Sequence, residues 1–310
     1  MRQPAYLSHS ALCLWESDRR EFYLKYLAEH RPPRIPQGSP AAAGSAFDAY
    51  VKYSLASDLG LEGSLDELFE SQVESHNRDF GRQAGPYILY WYRQCGAYDE
   101  LLDLLRQSTT QPRFESTVRD VVDGIPLLGK PDLDFKVGYP VVFDWKVRGF
   151  CSKNTTSPSK GYRLCRDANG GKPSKSHNQS HKDFRPSGPL KVSQTPLEET
   201  NVTFAEQLTM YGWLLGHGQP VLMLDEIVCK PNGTPTPLLR VANHRAQVSL
   251  EFGATLLDRY RNMWYDIEAG RIFDEDNDAI CESLDKAAKS LAEEGDDFFA
   301  SVCRNDGYWG

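Results

Sequence analysis

The stretch that most constrains the fold is Gly129 to Lys146, GKPDLDFKVGYPVVFDWK. Two apolar runs joined by Gly138-Tyr139-Pro140 predict a β-hairpin. Strand side chains alternate between faces, so Val142, Asp144 and Lys146 point one way while Val141, Phe143, Trp145 and Val147 point the other. The apolar set can pack under helices while Asp144 and Lys146 share a cleft. With Asp132, two carboxylates converge from neighbouring strands into a hard-oxygen site suited to magnesium or manganese. A lysine two residues beyond one ligand is placed to orient or help deprotonate an attacking water, or to neutralise charge on a phosphoryl oxygen. The competing reading is a surface hairpin with a solvated Asp-x-Lys pair, because short motifs also arise by chance.

With 310 residues the chain can bury a full core, as one large α/β domain with elaborations or two closely joined parts. Its net charge of −8 argues against a uniformly basic nucleic-acid coat but leaves room for a local basic groove. No run of about 18 apolar residues exists, and the N-terminus lacks the apolar core of a signal peptide, which points to an intracellular, cytoplasmic location. Seven scattered cysteines with no Cys-x-x-Cys favour reduced thiols.

In chain order, LSHSALCLWESDRREFYLKYL predicts one helix or two short ones, N-capped by Ser8 or Ser10. A proline-rich link leads to a second helix with Phe47, Val51 and Leu55 on one face. Asp48 lies off that face, and its simplest role by spacing is a solvated partner of Lys52 at i+4. The aromatic run YILYWYRQCGAYDELLDLL reads as core rather than as a base-stacking platform. From Arg113 the pattern turns to strands, RFESTVRDVV and then IPLLG, with Glu115 at the start of the first.

After Lys146 the segment from about 148 to 200 loses its apolar periodicity. Between Arg148 and Lys191 it holds ten Lys or Arg against two acidic residues, so it is a candidate phosphate clamp or a solvated basic loop. Within it Cys151, Cys165, His177 and His181 could form a zinc knot, although their spacing matches no standard pattern. VTFAEQLTMYGWLLGHG then predicts a helix ended by glycine, with Gln207 and Tyr211 on one face. Two strands flank Pro231-Asn232-Gly233, and a long helix follows from about Val248 to Ala269. Its apolar positions are Leu250, Leu257, Tyr260, Met263, Trp264 and Ile267. An acidic helical tail closes the chain.

Five pieces, LSHSAL…DRREFYLKY, GSAFDAYV, FESTV before GKPDLDF, FDWK and EQLTMY, stand in one order across residues 7 to 270. That order resembles the RecB-like branch of the PD-(D/E)XK nuclease superfamily, which includes CRISPR-associated, AddB-type and phage recombination nucleases. The resemblance implies an α/β fold with a mixed central β-sheet flanked by helices. It divides the chain into a helical part (1–110), a nuclease core (111–270, with the basic insertion 148–200) and an acidic tail (271–310). It implies that Asp132 and Asp144 hold Mg2+ or Mn2+, that the Trp145 carbonyl adds a ligand, and that Lys146 is the catalytic lysine. Gln207 and Tyr211 match a Gln-x-x-x-Tyr helix that orders the site and the DNA. Glu115 matches a supporting acidic residue on the first core strand.

Two positions depart from the pattern. Asp48 stands where many relatives place a histidine ligand, and aspartate can ligate the same ions. The cysteines that hold an iron-sulfur cluster in some relatives are missing, with Asp18 at the first of those positions, so no cluster is expected. The implied activity is a metal-dependent DNA exonuclease of recombination or repair, of phage type, acting on linear duplex or single-stranded DNA, with a recombination protein as possible partner and no membrane. The alternative is a catalytically idle nuclease fold that binds DNA or a partner protein.

Overall fold

The computed structural model describes residues 1–152, 162–165, 192–231, 233 and 237–293. Most of the basic stretch, including His177 and His181 of the zinc grouping, lies outside the described residues. Helices α1 (His9–Ser17) and α2 (Arg19–Phe22) run into a π-helical turn, Tyr23–Leu27. Next come α3 (Ser39–Asp58), α4 (Leu65–Gln72), α5 (Arg78–Gln94) and α6 (Ala97–Arg106). The strands β1 (Arg113–Phe114), β2 (Val118–Val122), β3 (Ile125–Gly129), β4 (Leu133–Lys136), β5 (Pro140–Arg148), β6 (Tyr162–Cys165) and β7 (Val192–Ser193) follow. Last are α7 (Leu197–Thr200), α8 (Val202–Leu214), β8 (Val221–Lys230), β9 (Leu238–Ala246), α9 (Leu250–Glu268) and α10 (Asn277–Glu293). The chain divides into two compact units.

The larger unit, residues 36–117 and 130–249, is built on a mixed sheet in the order β1-β4-β5-β8-β9-β6, with β7 beside β9. The α/β class expected from the sequence is the one observed. β5 and β8 pair in parallel, whereas β4–β5 and β8–β9 are antiparallel. β8 is buried along nearly its whole length and β5 from Val141 to Trp145, which is why both are rich in apolar residues. The hairpin forms as expected, with Leu133 opposite Phe143 and Lys136 opposite Pro140, and Gly138 turns at φ 76°. Val141, Phe143 and Trp145 pack in one core with Phe47, Val51 and Leu55 of α3 and with Ile88 and Tyr92 of α5. The aromatic run is therefore core, although Tyr90 remains exposed. Asp144 and Lys146 occupy the alternate positions of β5, where Lys146 Nζ lies 5.5 Å from the Phe204 ring of α8.

Two expectations need correction. RFESTVRDVV is not one strand: β1 ends at Phe114, and Glu115 adopts a left-handed backbone, φ 56°, that turns the chain away. β2 pairs instead with β3 in a separate hairpin. On α9 the buried stripe is Leu256, Tyr260, Met263 and Ile267, at i, i+4, i+7 and i+11. Leu250, at the first position of that helix, is exposed, and Leu257 is only half-buried.

The smaller unit comprises residues 1–35, 118–129 and 250–310. Leu7 joins β3 by backbone, donating to the Pro126 carbonyl (2.8 Å) and accepting from the Leu128 N–H (2.8 Å). Ser8 caps α1 by accepting from the Ala11 N–H. α9 packs on α1 and β3, and α10 meets the π-helical turn, where the Tyr23 hydroxyl donates to Asp285 at 2.9 Å. No described helix is long and apolar enough to cross a membrane.

Candidate metal centre

The centre is assembled in the larger unit where α3 lies over the hairpin. α3 carries Asp48 and Lys52 one turn apart, Glu115 follows β1, Asp132 precedes β4, and β5 supplies Asp144 and Lys146. The left-handed turn at Glu115 lets its N–H donate to the Asp132 carbonyl at 3.1 Å, which draws the two carboxylates together. Oxygens of Asp48, Glu115 and Asp132 lie within 4.8 Å of one another. Lys52 Nζ sits among them, 2.5 Å from Asp48 Oδ2 and 2.9 Å from Asp132 Oδ1, and it also donates to Glu115. Gln72 donates to the same Glu115 oxygen as Lys52 (2.9 Å), and Lys130 pairs with the other. Asp132 Oδ2 accepts the Trp145 N–H at 3.1 Å, tying this cluster to β5. There Asp144 Oδ2 and Lys146 Nζ form an ion pair at 2.5 Å.

Burial and then the neighbouring Asp132 charge push the Asp48 carboxyl up to about 7, against the pull of Lys52. Burial and then Asp132 drive Asp144 well above the usual carboxylate range. Burial would raise Asp132 as well, but Lys52, the bond with Asp144 and the Lys146 charge hold it below that range. Asp132 and Asp144 thus titrate as an interacting carboxylate pair in which Asp132 gives up its proton the more readily. Burial alone would lower both lysines. Asp132 and Asp48 instead raise Lys52, and Asp144 and Asp132 raise Lys146, so both remain ammonium groups. Burial and then Asp144 raise the Tyr211 phenol, which accepts from Gln207 Nε2 at 2.7 Å.

This donor set fits a hard divalent cation. It offers carboxylate oxygens close enough to share one ion, and the lysine held among them demonstrates that the cluster attracts a cation. With aspartate at position 48 the clustered donors are all oxygen. Asp48, Glu115, Asp132, Asp144, Lys146 and Tyr211 share one neighbourhood, and Gln207 reaches it through Tyr211. At Trp145 the engaged backbone group is the N–H; its ring is buried and donates to the Tyr92 hydroxyl at 3.3 Å.

Asp48 and Lys52 do form the i+4 pair expected from spacing, but Lys52 is 1% exposed, so the pair is buried rather than solvated. Lys52, Lys130 and Gln72 are members that sequence reasoning did not assign to the centre. A signal for Lys52 existed. α3 is apolar on two faces, with Ala42, Ala46 and Ala49 packing against Phe69 and Val73 while Phe47, Val51 and Leu55 face the sheet. A lysine in the middle of such a helix must be buried and therefore paired.

Comparison with known proteins adds little. No family model matches the chain, and no curated protein matches it. Among solved structures, the chain is similar to a "Putative exonuclease" from Eubacterium rectale at 12% identity and a TM-score of 0.39, covering 86% of this chain and 82% of that one. A second, the protein SSO0001, is 11% identical with a TM-score of 0.26, covering 82% and 84%. At these scores neither likeness assigns a family or an activity.

Proposed function

We propose that this chain is a nuclease, and more specifically a DNA exonuclease of the PD-(D/E)XK type that depends on magnesium or manganese. The observation that carries the reading is the clustering of Asp48, Glu115 and Asp132 oxygens around the Lys52 ammonium, with the Asp144–Lys146 pair of β5 linked to it through Asp132. Asp48, Asp132 and Asp144 would hold the ion, with Glu115 beside them. Such an ion supplies Lewis acidity toward a phosphate oxygen and toward water. Lys146, one quarter exposed, is the cation of the pair that substrate can reach, whereas Asp144 is sealed beneath it. Its ammonium would donate to a non-bridging phosphate oxygen and offset the negative charge that builds there. Tyr211, fixed by Gln207, offers a neutral hydroxyl beside the same pair to orient the phosphate. Recombination or repair is the process this activity would serve, with a recombination protein as the corresponding partner.

A second reading, an idle nuclease fold that binds DNA or a partner protein, draws support from Lys52. Clustered carboxylates repel one another and would ordinarily argue for an ion, but here a lysine already relieves that repulsion.

End-labelled linear duplex, single-stranded and covalently closed circular DNA, incubated with Mg2+, Mn2+ or EDTA beside Asp144→Asn, separates the two. The nuclease reading expects metal-dependent loss of linear substrates, sparing of circles, and no cleavage by the variant. DNA or partner binding without cleavage under any condition would establish the idle fold instead.

A further inference from the structure

Lys52 is fully buried in the middle of α3, and its ammonium donates to three carboxylates from three separate segments. Three N–H bonds meet three acceptors, so the hydrogen-bonding capacity of the group is used up. Its acceptors are the same three carboxylates whose oxygens cluster within 4.8 Å. A divalent ion entering that cluster would meet the ammonium at contact distance, where like charges repel strongly in a partly desolvated site. The two cations therefore exclude one another.

Lys52 lines a cavity of about 770 Å³ bounded by α3, residues 60–64, α4 and the end of β1, and the walls of this cavity carry the exposed carboxylates Glu62 and Glu67. A flexible four-carbon stem lets the head of a lysine swing while its backbone stays helical.

We propose that Lys52 is the resident counter-ion of the carboxylate centre, and that a divalent cation loads by displacing its ammonium toward this cavity. The proposal rests on reading the centre as a metal site. It explains how the centre tolerates clustered carboxylates without an ion, and it makes Lys52 the residue that sets metal affinity by competing for the same oxygens.

The test uses the full chain with Mn2+ alone, followed by titration calorimetry and by thermal melting with and without the ion. Lys52→Met is expected to bind Mn2+ at least about tenfold more tightly than wild type, because the competing charge is gone. Its melting temperature should be lower without Mn2+ and should rise further with it. Equal or weaker binding by the variant, with binding still lost in Asp132→Asn, overturns the role of Lys52 and leaves the metal centre standing. Absence of Asp132-dependent Mn2+ binding in both proteins overturns the metal-centre reading and this proposal with it.

Should Lys52→Met fail to fold, reductive methylation of wild-type Lys52, mapped by mass spectrometry, decides the matter. Protection without Mn2+ and labelling several-fold faster at saturating Mn2+ is the expected result. Unchanged protection overturns the displacement.

Discussion

Asp225 shows what a buried carboxyl costs when its close partners are neutral. It lies 4% exposed on β8, and the Tyr92 hydroxyl and Asn243 amide donate to it. Burial still outweighs these bonds and pushes its pKa from 3.8 to about 6. The folded protein thus holds this proton more tightly than the unfolded chain does. The stabilising contribution is complete below about pH 4 and is lost as pH rises through about 6, amounting to about 3 kcal/mol by neutrality. Asp225→Asn has no such proton to lose. Urea denaturation should show the stability gap between variant and wild type moving in the variant's favour by about 3 kcal/mol from about pH 4 to pH 7. A gap that does not change with pH would refute the assignment. Lys52 lies at the other extreme, since its charge is matched by carboxylates, and removing it would take from Asp48, Glu115 and Asp132 the cation they share, at a cost of about 3–5 kcal/mol.

At the scale of elements, the position of Asp48 and Lys52 depends on how closely α3 can approach its neighbours. Gly85 of α5 faces α3, and a Cβ there would lie 2.9 Å from the Ala46 carbonyl carbon and 2.6 Å from the Tyr50 ring. Helix propensity alone would favour alanine over glycine by about 1 kcal/mol. The clash is with backbone and cannot be relieved by a rotamer change, so Gly85→Ala is expected to destabilise by a net 1–3 kcal/mol or so, read from the denaturation midpoint. A stabilised variant would show that α3 and α5 are packed less tightly than this. In the sequence, Gly85-Pro86 resembles a helix break, yet both residues lie within α5. Glycine is retained there for room rather than for its backbone freedom.

For the whole molecule, a net charge of −8 opposes binding to another polyanion. If the centre loads a divalent ion as proposed, loading removes negative charge at the point where a phosphate must approach. Fluorescence anisotropy at fixed salt should therefore show DNA bound at least about tenfold more tightly with Ca2+, a hard ion that takes the same oxygen ligands, than with EDTA. Asp132→Asn, one negative charge poorer, is expected to bind DNA better than wild type in EDTA and to gain nothing from Ca2+. A wild type indifferent to the ion would remove the link between the centre and DNA.

What could be read from the chain alone is what short-range rules govern. The 129–146 hairpin follows from its turn and from two-residue alternation, and the same alternation places Asp144 and Lys146 together on the opposite side of β5 from Phe143 and Trp145. The capped α8, with Gln207 and Tyr211 one turn apart, follows from helical period, and helices interleaved with apolar strands specify the mixed α/β class. Only the tertiary structure decided that Glu115 leaves the strand in a left-handed turn, that residue 7 pairs beside β3, and that the α9 stripe runs through Leu256. It alone placed Lys52, which looks locally like half of an ordinary i+4 pair, among carboxylates from three segments. Period and turn chemistry act between residues a few positions apart, whereas neutralising a buried charge depends on groups that meet only when distant segments pack.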